Sequence, residues 1–266
     1  MPTVVIFDSG VGGLSIYQQV KTRLPGCDYI LVSDNLAFPY GGKPEQALNQ
    51  RVVEVVQRIN RHFCPDLVVV ACNTASTVVL PLLRATSDIP VVGVVPAIKP
   101  AGKLSNTRHI GLLATPATIQ RSYTDQLIAD FAADCRVTKV GSSKMVELAE
   151  SKLSAETVEL AAIEMELIPF LEAEDCDTIV LGCTHFPLLN KEILSVFKAK
   201  KHVVNLVDSG LGIANRVASL LAGKVSGSAL HNGRSIAVFT RQLEQYSNFI
   251  VYLEQQGVHY QGLLQD

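Results

Sequence analysis

The chain has 266 residues, of which 48% are hydrophobic and 18% charged, with 23 Lys+Arg against 25 Asp+Glu and a formal net charge of −2. That composition excludes a disordered chain and a protein that works by neutralising phosphate backbones, and the length suits one large domain or two of ordinary size. Apolar runs such as Leu67–Cys72 and Val91–Val95 fall far short of the roughly 20 residues that span a bilayer, and the N-terminus MPTVVIFDSG has no basic or long apolar region of a secretory signal. In chain order, Thr3–Phe7 and Tyr29–Ser33 read as buried strands, followed by a helix over Leu48–Phe63 whose apolar residues recur every three or four positions. Leu67–Ala71, Val91–Val95 and His109–Ala114 read as further strands. A helix is expected over Ala155–Leu171, a strand over Thr178–Gly182, a helix over Asn190–Phe197 and a strand over Val203–Val207. Nearly continuous apolar strands alternating with helices predict an α/β fold with mostly parallel sheets.

The strand ending at Cys72, Asp66-Leu-Val-Val-Val-Ala-Cys72-Asn-Thr, is echoed by Asp177-Thr-Ile-Val-Leu-Gly-Cys183-Thr-His. The two cysteines are 111 residues apart, and two further strand pairs recur at offsets of 107 and 112. The echo predicts two similar halves, each with a cysteine at the carboxyl end of a strand, where open α/β sheets bind ligands.

Three segments carry candidate chemistry. Phe7-Asp-Ser-Gly-Val-Gly-Gly-Leu14 is a strand-to-helix turn with Asp8 and Ser9 ahead of its glycines. A dinucleotide fingerprint would use Gly10 and Gly12, with Asp34 as the ribose acid. However, Ser15 replaces the third glycine, and Asp8 stands where a pyrophosphate would lie. Ala71-Cys-Asn-Thr-Ala-Ser-Thr77 and Leu181-Gly-Cys-Thr-His-Phe-Pro-Leu188 follow the two matched strands. Asn73, Thr74, Ser76 and Thr77 offer hydrogen bonds with no evident local need. A lone buried cysteine packs as a small hydrophobe, and Cys183 with His185 also fits a thiol hydrolase. The metal-ligand spacings are absent. The other four cysteines, Cys27, Cys64, Cys135 and Cys176, lack polar surroundings and read as packing residues. In the loop Phe38-Pro-Tyr-Gly-Gly-Lys43, Tyr40 either closes over a pocket or caps the core. Two matched thiols suit stereoinversion at a carbon acid, with one taking a proton from one face and the other returning a proton to the opposite face.

These segments, with Gly93-Val-Val-Pro-Ala97 and Val207-Asp-Ser-Gly210, resemble the glutamate racemase family over residues 4 to about 222. The resemblance implies a cytoplasmic, cofactor-independent, metal-free two-base racemase that interconverts L- and D-glutamate and supplies D-glutamate for peptidoglycan. It implies that Cys72 takes the proton from the D-isomer and Cys183 from the L-isomer, with Asp8, His185 and Glu150 assisting. Asp8, Ser9, Tyr40, Gly41, Asn73, Thr74, Thr184 and His185 are expected to bind substrate. The implied fold is two flavodoxin- or Rossmann-like domains, 1–96 plus 209–266 and 97–208, with an interdomain active-site cleft. A homodimer and a cell-wall-precursor activator are both compatible with the family. Where many members carry Cys-Pro-x-Phe-Val-Pro before Glu150, this chain reads Gly141-Ser-Ser-Lys-Met-Val-Glu147. The stretch beyond Lys224 carries no family motif.

Overall fold

The structure is a computed structural model that describes residues 1–224, 232–243 and 247–265. In chain order it runs β1 (Thr3–Asp8), α1 (Gly13–Arg23), β2 (Asp28–Ser33), α2 (Glu45–Phe63), β3 (Leu67–Val70), α3 (Asn73–Thr86) and β4 (Val91–Gly93). It continues with α4 (Ile98–Leu104), β5 (His109–Ala114), α5 (Pro116–Gln120), α6 (Ser122–Phe131), β6 (Arg136–Gly141), α7 (Lys144–Leu153), α8 (Leu160–Leu171) and β7 (Thr178–Leu181). The last elements are α9 (Asn190–Ala199), β8 (Asn205–Val207), α10 (Gly210–Leu221), β9 (Ser235–Phe239), α11 (Ser247–Gln255) and β10 (His259–Leu263). The chain divides into two compact units, Met1–Val94 with Gly210–Asp266, and Val95–Ser209.

The first unit holds a parallel sheet of order β10-β9-β2-β1-β3-β4. Every residue of β3 is buried, and so is every residue of β1 after Thr3, as expected where helices cover both faces of a parallel sheet. The amphipathic stripe read from Leu48 to Phe63 forms α2, which buries Leu48, Val52, Val55, Val56 and Ile59. Each such side chain stabilises the fold by roughly 1.5–3 kcal/mol relative to exposure. They pack into one core with Val5, Phe7, Val68, Val70, Tyr40 and Cys72, while α10 packs on α1.

The second unit holds a parallel sheet of order β6-β5-β7-β8. Its order repeats the β2-β1-β3-β4 portion of the first sheet, so the echo between the halves is a repeated topology. In each copy the strand order reverses, between β1 and β3 and between β5 and β7. A doubly wound sheet opens a crevice at that point, beyond the carboxyl ends of the strands.

The structure departs from the sequence reading in three places. The helix expected over Ala155–Leu171 starts late: α7 ends before Ala155, and α8 runs from Leu160 to Leu171. Ala155 is left-handed at φ 61°. Its N–H bonds to the Lys152 carbonyl at 3.1 Å, and the Glu156 N–H bonds to that of Ser151 at 3.0 Å, a Schellman stop that terminates α7. The second departure is β6, whose charged Arg136 and Lys139 conceal an edge strand with no fully buried residue. The third is the stretch beyond Lys224, which supplies β9 and β10, and β9 pairs in register with β2.

Candidate active site

In the first unit, β1 delivers Asp8 and β3 delivers Cys72 two residues past its end, at the reversal point of the sheet. Asp8 Oδ1 accepts the Gly10 N–H at 3.0 Å and the Ser9 hydroxyl at 3.3 Å. Ser9 Oγ lies 3.7 Å from Cys72 Sγ. Carboxylate, hydroxyl and thiol thus form one buried chain. The glycine turn has a steric reason: a Cβ on Gly13 would sit 3.0 Å from the Cβ of Asp8, so a side chain there would crowd the carboxylate. Cys72 is the extended N-cap of α3, and the N-terminal end of a helix favours negative charge.

The polar run after Cys72 divides by role. Ser76 donates to the Val70 carbonyl at 3.0 Å and accepts the Val94 N–H at 3.1 Å, tying α3 to the ends of β3 and β4. Thr77 donates to the Thr74 carbonyl at 2.9 Å. These two hydroxyls are therefore used locally, contrary to the expectation from sequence. Asn73 differs: its Nδ2 is buried with no hydrogen-bond partner among the described residues, and the residue is 3% exposed. An orphaned buried amide costs about 1–3 kcal/mol, which points to a group that it receives.

Tyr40 and Gly41 lie in a single 3-10 turn, Tyr40–Gly42, that packs on α3. The Tyr40 ring is buried, and its hydroxyl donates to Asp34 Oδ2 at 2.6 Å. Burial, then the charge of Asp34, pushes the phenol far above its ordinary range, so it stays protonated. The carboxylate of Asp34, read above as a candidate ribose acid, is fully committed to protein donors. Arg51 reaches it from Nε at 2.9 Å and Nη2 at 2.6 Å, and Thr240 Oγ1 donates at 2.7 Å. Burial raises this carboxyl, but bonds from Arg51, Tyr40 and Thr240 outweigh it and hold the pKa below the usual range.

In the second unit, Cys183 again lies two residues past a strand, β7, at the reversal point. Its Sγ is 3.8 Å from His185 Nδ1. The far side of that ring, Nε2, is 2.7 Å from Glu150 Oε1 on α7. Burial lowers the affinity of His185 for a proton; its hydrogen bonds to Cys183 and Glu150, and their charges, raise it more, so the imidazole pKa lies well above its ordinary value. Lys152, on the same helix as Glu150, donates to the Leu188 carbonyl at 2.8 Å and pairs with Glu192 at 2.7 Å. It thereby pins α7 to the segment that follows His185. Met145 is fully buried at the start of α7, and Thr184 is 4% exposed beside the thiol.

The structure thus groups Asp8, Ser9 and Cys72, with Asn73 and Thr74 at the start of α3 and Tyr40 and Gly41 in the turn packed on it. It separately groups Cys183, Thr184, His185 and Glu150. Two features escaped the sequence. The Asp34–Arg51–Thr240 node is assembled from residues up to 206 apart and had no local signal beyond the acid itself. Thr115, 8% exposed, lies one residue past β5, close to where Asp8 ends β1, and hydrogen-bonds Thr118 at 3.0 Å; its offset of 107 from Asp8 was the available clue. Cys27 and Cys176 are buried and Cys135 is half-buried, but Cys64 is exposed at the left-handed end of α2, which corrects the reading of all four remaining cysteines as packing residues. Among the described residues no group of three or more His, Cys, Asp or Glu could hold a metal ion, and no helix is long and apolar enough to cross a membrane.

Comparison with known proteins gives this arrangement a family. Residues 13–214 match the family model described as Asp/Glu/Hydantoin racemase. The glutamate racemase of Pasteurella multocida is 47% identical over 264 residues, covering 99% of this chain and 95% of that protein. The glutamate racemase of an Escherichia coli O45:K1 strain is 54% identical over 221 residues, covering 83% of this chain and 76% of that protein. A crystal structure of Escherichia coli glutamate racemase with L-glutamate and the activator UDP-MurNAc-ala superposes with a TM-score of 0.90 at 47% identity, covering 98% of this chain and 97% of that one. A Bacillus anthracis glutamate racemase isoform, 26% identical, covers 98% of this chain and 97% of its own with a TM-score of 0.83. The chain belongs to the Asp/Glu/Hydantoin racemase family and, within it, to the glutamate racemases.

Proposed function

We propose that this protein interconverts L- and D-glutamate without a cofactor, using Cys72 and Cys183 as the two bases. The observation that carries the reading is that each thiol occupies the same place in a repeated topology, each beside its own acid–base group. The α-proton of an amino acid is hard to remove, and the protein itself must hold the developing negative charge. One cysteine, as thiolate, takes the α-proton and becomes a thiol. The pair of electrons left on carbon is delocalised into the carboxylate, and the other cysteine, as thiol, returns a proton to the opposite face and becomes thiolate. Two half-transfers leave the enzyme with its cysteine roles exchanged and the substrate inverted.

In this reading Cys72 acts on D-glutamate and Cys183 on L-glutamate. Asp8 assists Cys72 through the Ser9 hydroxyl, which touches both groups. His185, backed by Glu150, assists Cys183. A protonated imidazole beside Cys183 stabilises the thiolate and is oriented by the carboxylate behind it. The unpartnered Asn73 amide suits a substrate carboxylate. Ser9, Tyr40, Gly41, Thr74 and Thr184 complete the binding set, and the buried setting keeps water from the carbanion.

By this reading the protein works in the cytoplasm and supplies D-glutamate for peptidoglycan. Regulation by a cell-wall precursor is proposed on likeness to the Escherichia coli enzyme solved with UDP-MurNAc-ala, and a homodimer is proposed on family grounds. Incubating the protein with L-glutamate in heavy water tests the reaction. Optical rotation should decay to zero while deuterium enters the α-carbon of the product. Unchanged rotation would refute the reading; exchange without loss of rotation would refute the two-base mechanism.

A further inference from the structure

Asp34 is a buried carboxylate that the proposed reaction does not use. It is 0% exposed and lies just past the end of β2. Both oxygens are occupied: Oδ2 accepts from Tyr40 and Arg51, and Oδ1 from Arg51 and Thr240. It therefore has little capacity left for a substrate or a ribose. A buried ion pair is weak evidence of stabilisation, because desolvation offsets most of the attraction and apolar residues would pack as well.

Its neighbours supply a different reason for it. The Asp34 N–H bonds to the carbonyl of Asp8 at 2.9 Å, and its carboxylate accepts a hydrogen bond from the Tyr40 hydroxyl. The Tyr40 ring belongs to the same buried cluster as Cys72, and its turn packs on α3, the helix that Cys72 caps. Asp34 therefore fixes two neighbours of Cys72 at once: the backbone at Asp8, and the Tyr40–Gly41 turn. Arg51 from α2 and Thr240 from just past β9 hold the carboxylate in place.

We propose that Asp34 is a positioning residue for the Cys72 half of the reaction, acting through Tyr40. The proposal rests on the two-cysteine reading above. It predicts a specific kinetic asymmetry. Disturbing Asp34 raises the barrier for proton transfer at Cys72 and leaves the Cys183 barrier nearly unchanged. Transfer at Cys72 then limits the rate more strongly in both directions.

The test compares wild type with Asp34→Asn, Tyr40→Phe and the double variant, using the full chain and rates per folded enzyme. Either single change is expected to lower kcat/KM by on the order of 10²-fold, the cost of misplacing a reacting group by about 1 Å. The double variant should lose no more than the worse single variant, since both changes break one link. The primary isotope effect on kcat/KM should rise with D-[α-²H]glutamate and fall with L-[α-²H]glutamate, whereas a uniform loss of structure moves neither. If Asp34→Asn fails to fold, Tyr40→Phe, which keeps the Asp34–Arg51 pair, carries the isotope test alone. Unchanged isotope effects, or losses that multiply in the double variant, overturn the proposal. A wild type that leaves glutamate unconverted overturns the racemase reading and this proposal with it; normal wild-type turnover with multiplying losses overturns this one alone.

Discussion

Replacing Arg51 by Met isolates the electrostatics of the Asp34 node. Met keeps most of the apolar stem but removes the guanidinium, which supplies two hydrogen bonds and the compensating charge. Breaking a buried pair by removing one partner costs about 3–5 kcal/mol. The lower end applies here, because the Arg51 side chain is 19% exposed and Tyr40 and Thr240 still donate. About 3 kcal/mol is a factor of roughly 10² in the opening equilibrium, or a shift of about 1–2 M in a urea midpoint. The sign with pH is diagnostic. In wild type the Asp34 pKa is held low, so its contribution is present above the ordinary carboxyl value and fades as pH falls through the folded one. Removing Arg51 takes away bonds and a charge that lower it, so the folded pKa rises from its wild-type position. The variant is then most destabilised at neutral pH and regains stability relative to wild type as the carboxyl takes up a proton. Thiol labelling against urea reads each unit separately, because buried Cys27 lies in the first and buried Cys176 in the second. Cys27 should become reactive at lower urea in Arg51→Met, most strongly near pH 8 and less near pH 5, while Cys176 keeps its wild-type profile. A Cys27 midpoint unchanged by the substitution, or a loss independent of pH, would refute the reasoning.

Further outcomes follow from the same geometry. Cys72→Ser and Cys183→Ser should each reduce racemisation by roughly 10²–10⁴-fold, the usual worth of a positioned acid or base; wild-type rates in both variants would rule out the two-thiol mechanism. Glu150→Gln removes a carboxylate 2.7 Å from His185 and should lower its raised pKa. The stabilisation from protonated His185 is complete below about pH 6.5 and disappears as pH rises through its folded value, so the variant should lose it at lower pH than wild type; an unmoved imidazole titration by NMR would contradict this. Gly182→Ala would put a Cβ 3.0 Å from those of Ala114 and Leu112 Cδ1 and 3.3 Å from the Leu113 carbonyl. Overpacking of this kind costs about 1–3 kcal/mol, and one residue from Cys183 it should also lower kcat; a variant with wild-type melting and turnover would refute the packing argument.

Local pattern determined a large part of this protein. Apolar runs such as Leu67–Val70 and Ile179–Leu181 declare buried parallel strands because a sheet covered on both faces buries successive residues. The cysteine just past each run is a candidate site residue because strand ends at a reversal point face a crevice. The cap and turn chemistry is also local, as the Asp8–Gly10 bond illustrates. Other features depended on distant partners. Arg136 and Lys139 look unlike strand residues until β6 is seen as an edge with one neighbour. The strand β9 is recognised by its register beside β2, which brings Thr240 to Asp34 across 206 residues. Likewise, Glu150 meets His185 because α7 stops at a left-handed Ala155 and Lys152 ties the helix to Leu188. Strand identity and thiol placement are written in hydrophobic period and chain order, whereas the charge state of a buried acid or imidazole is set by which remote donors the fold brings within hydrogen-bond reach.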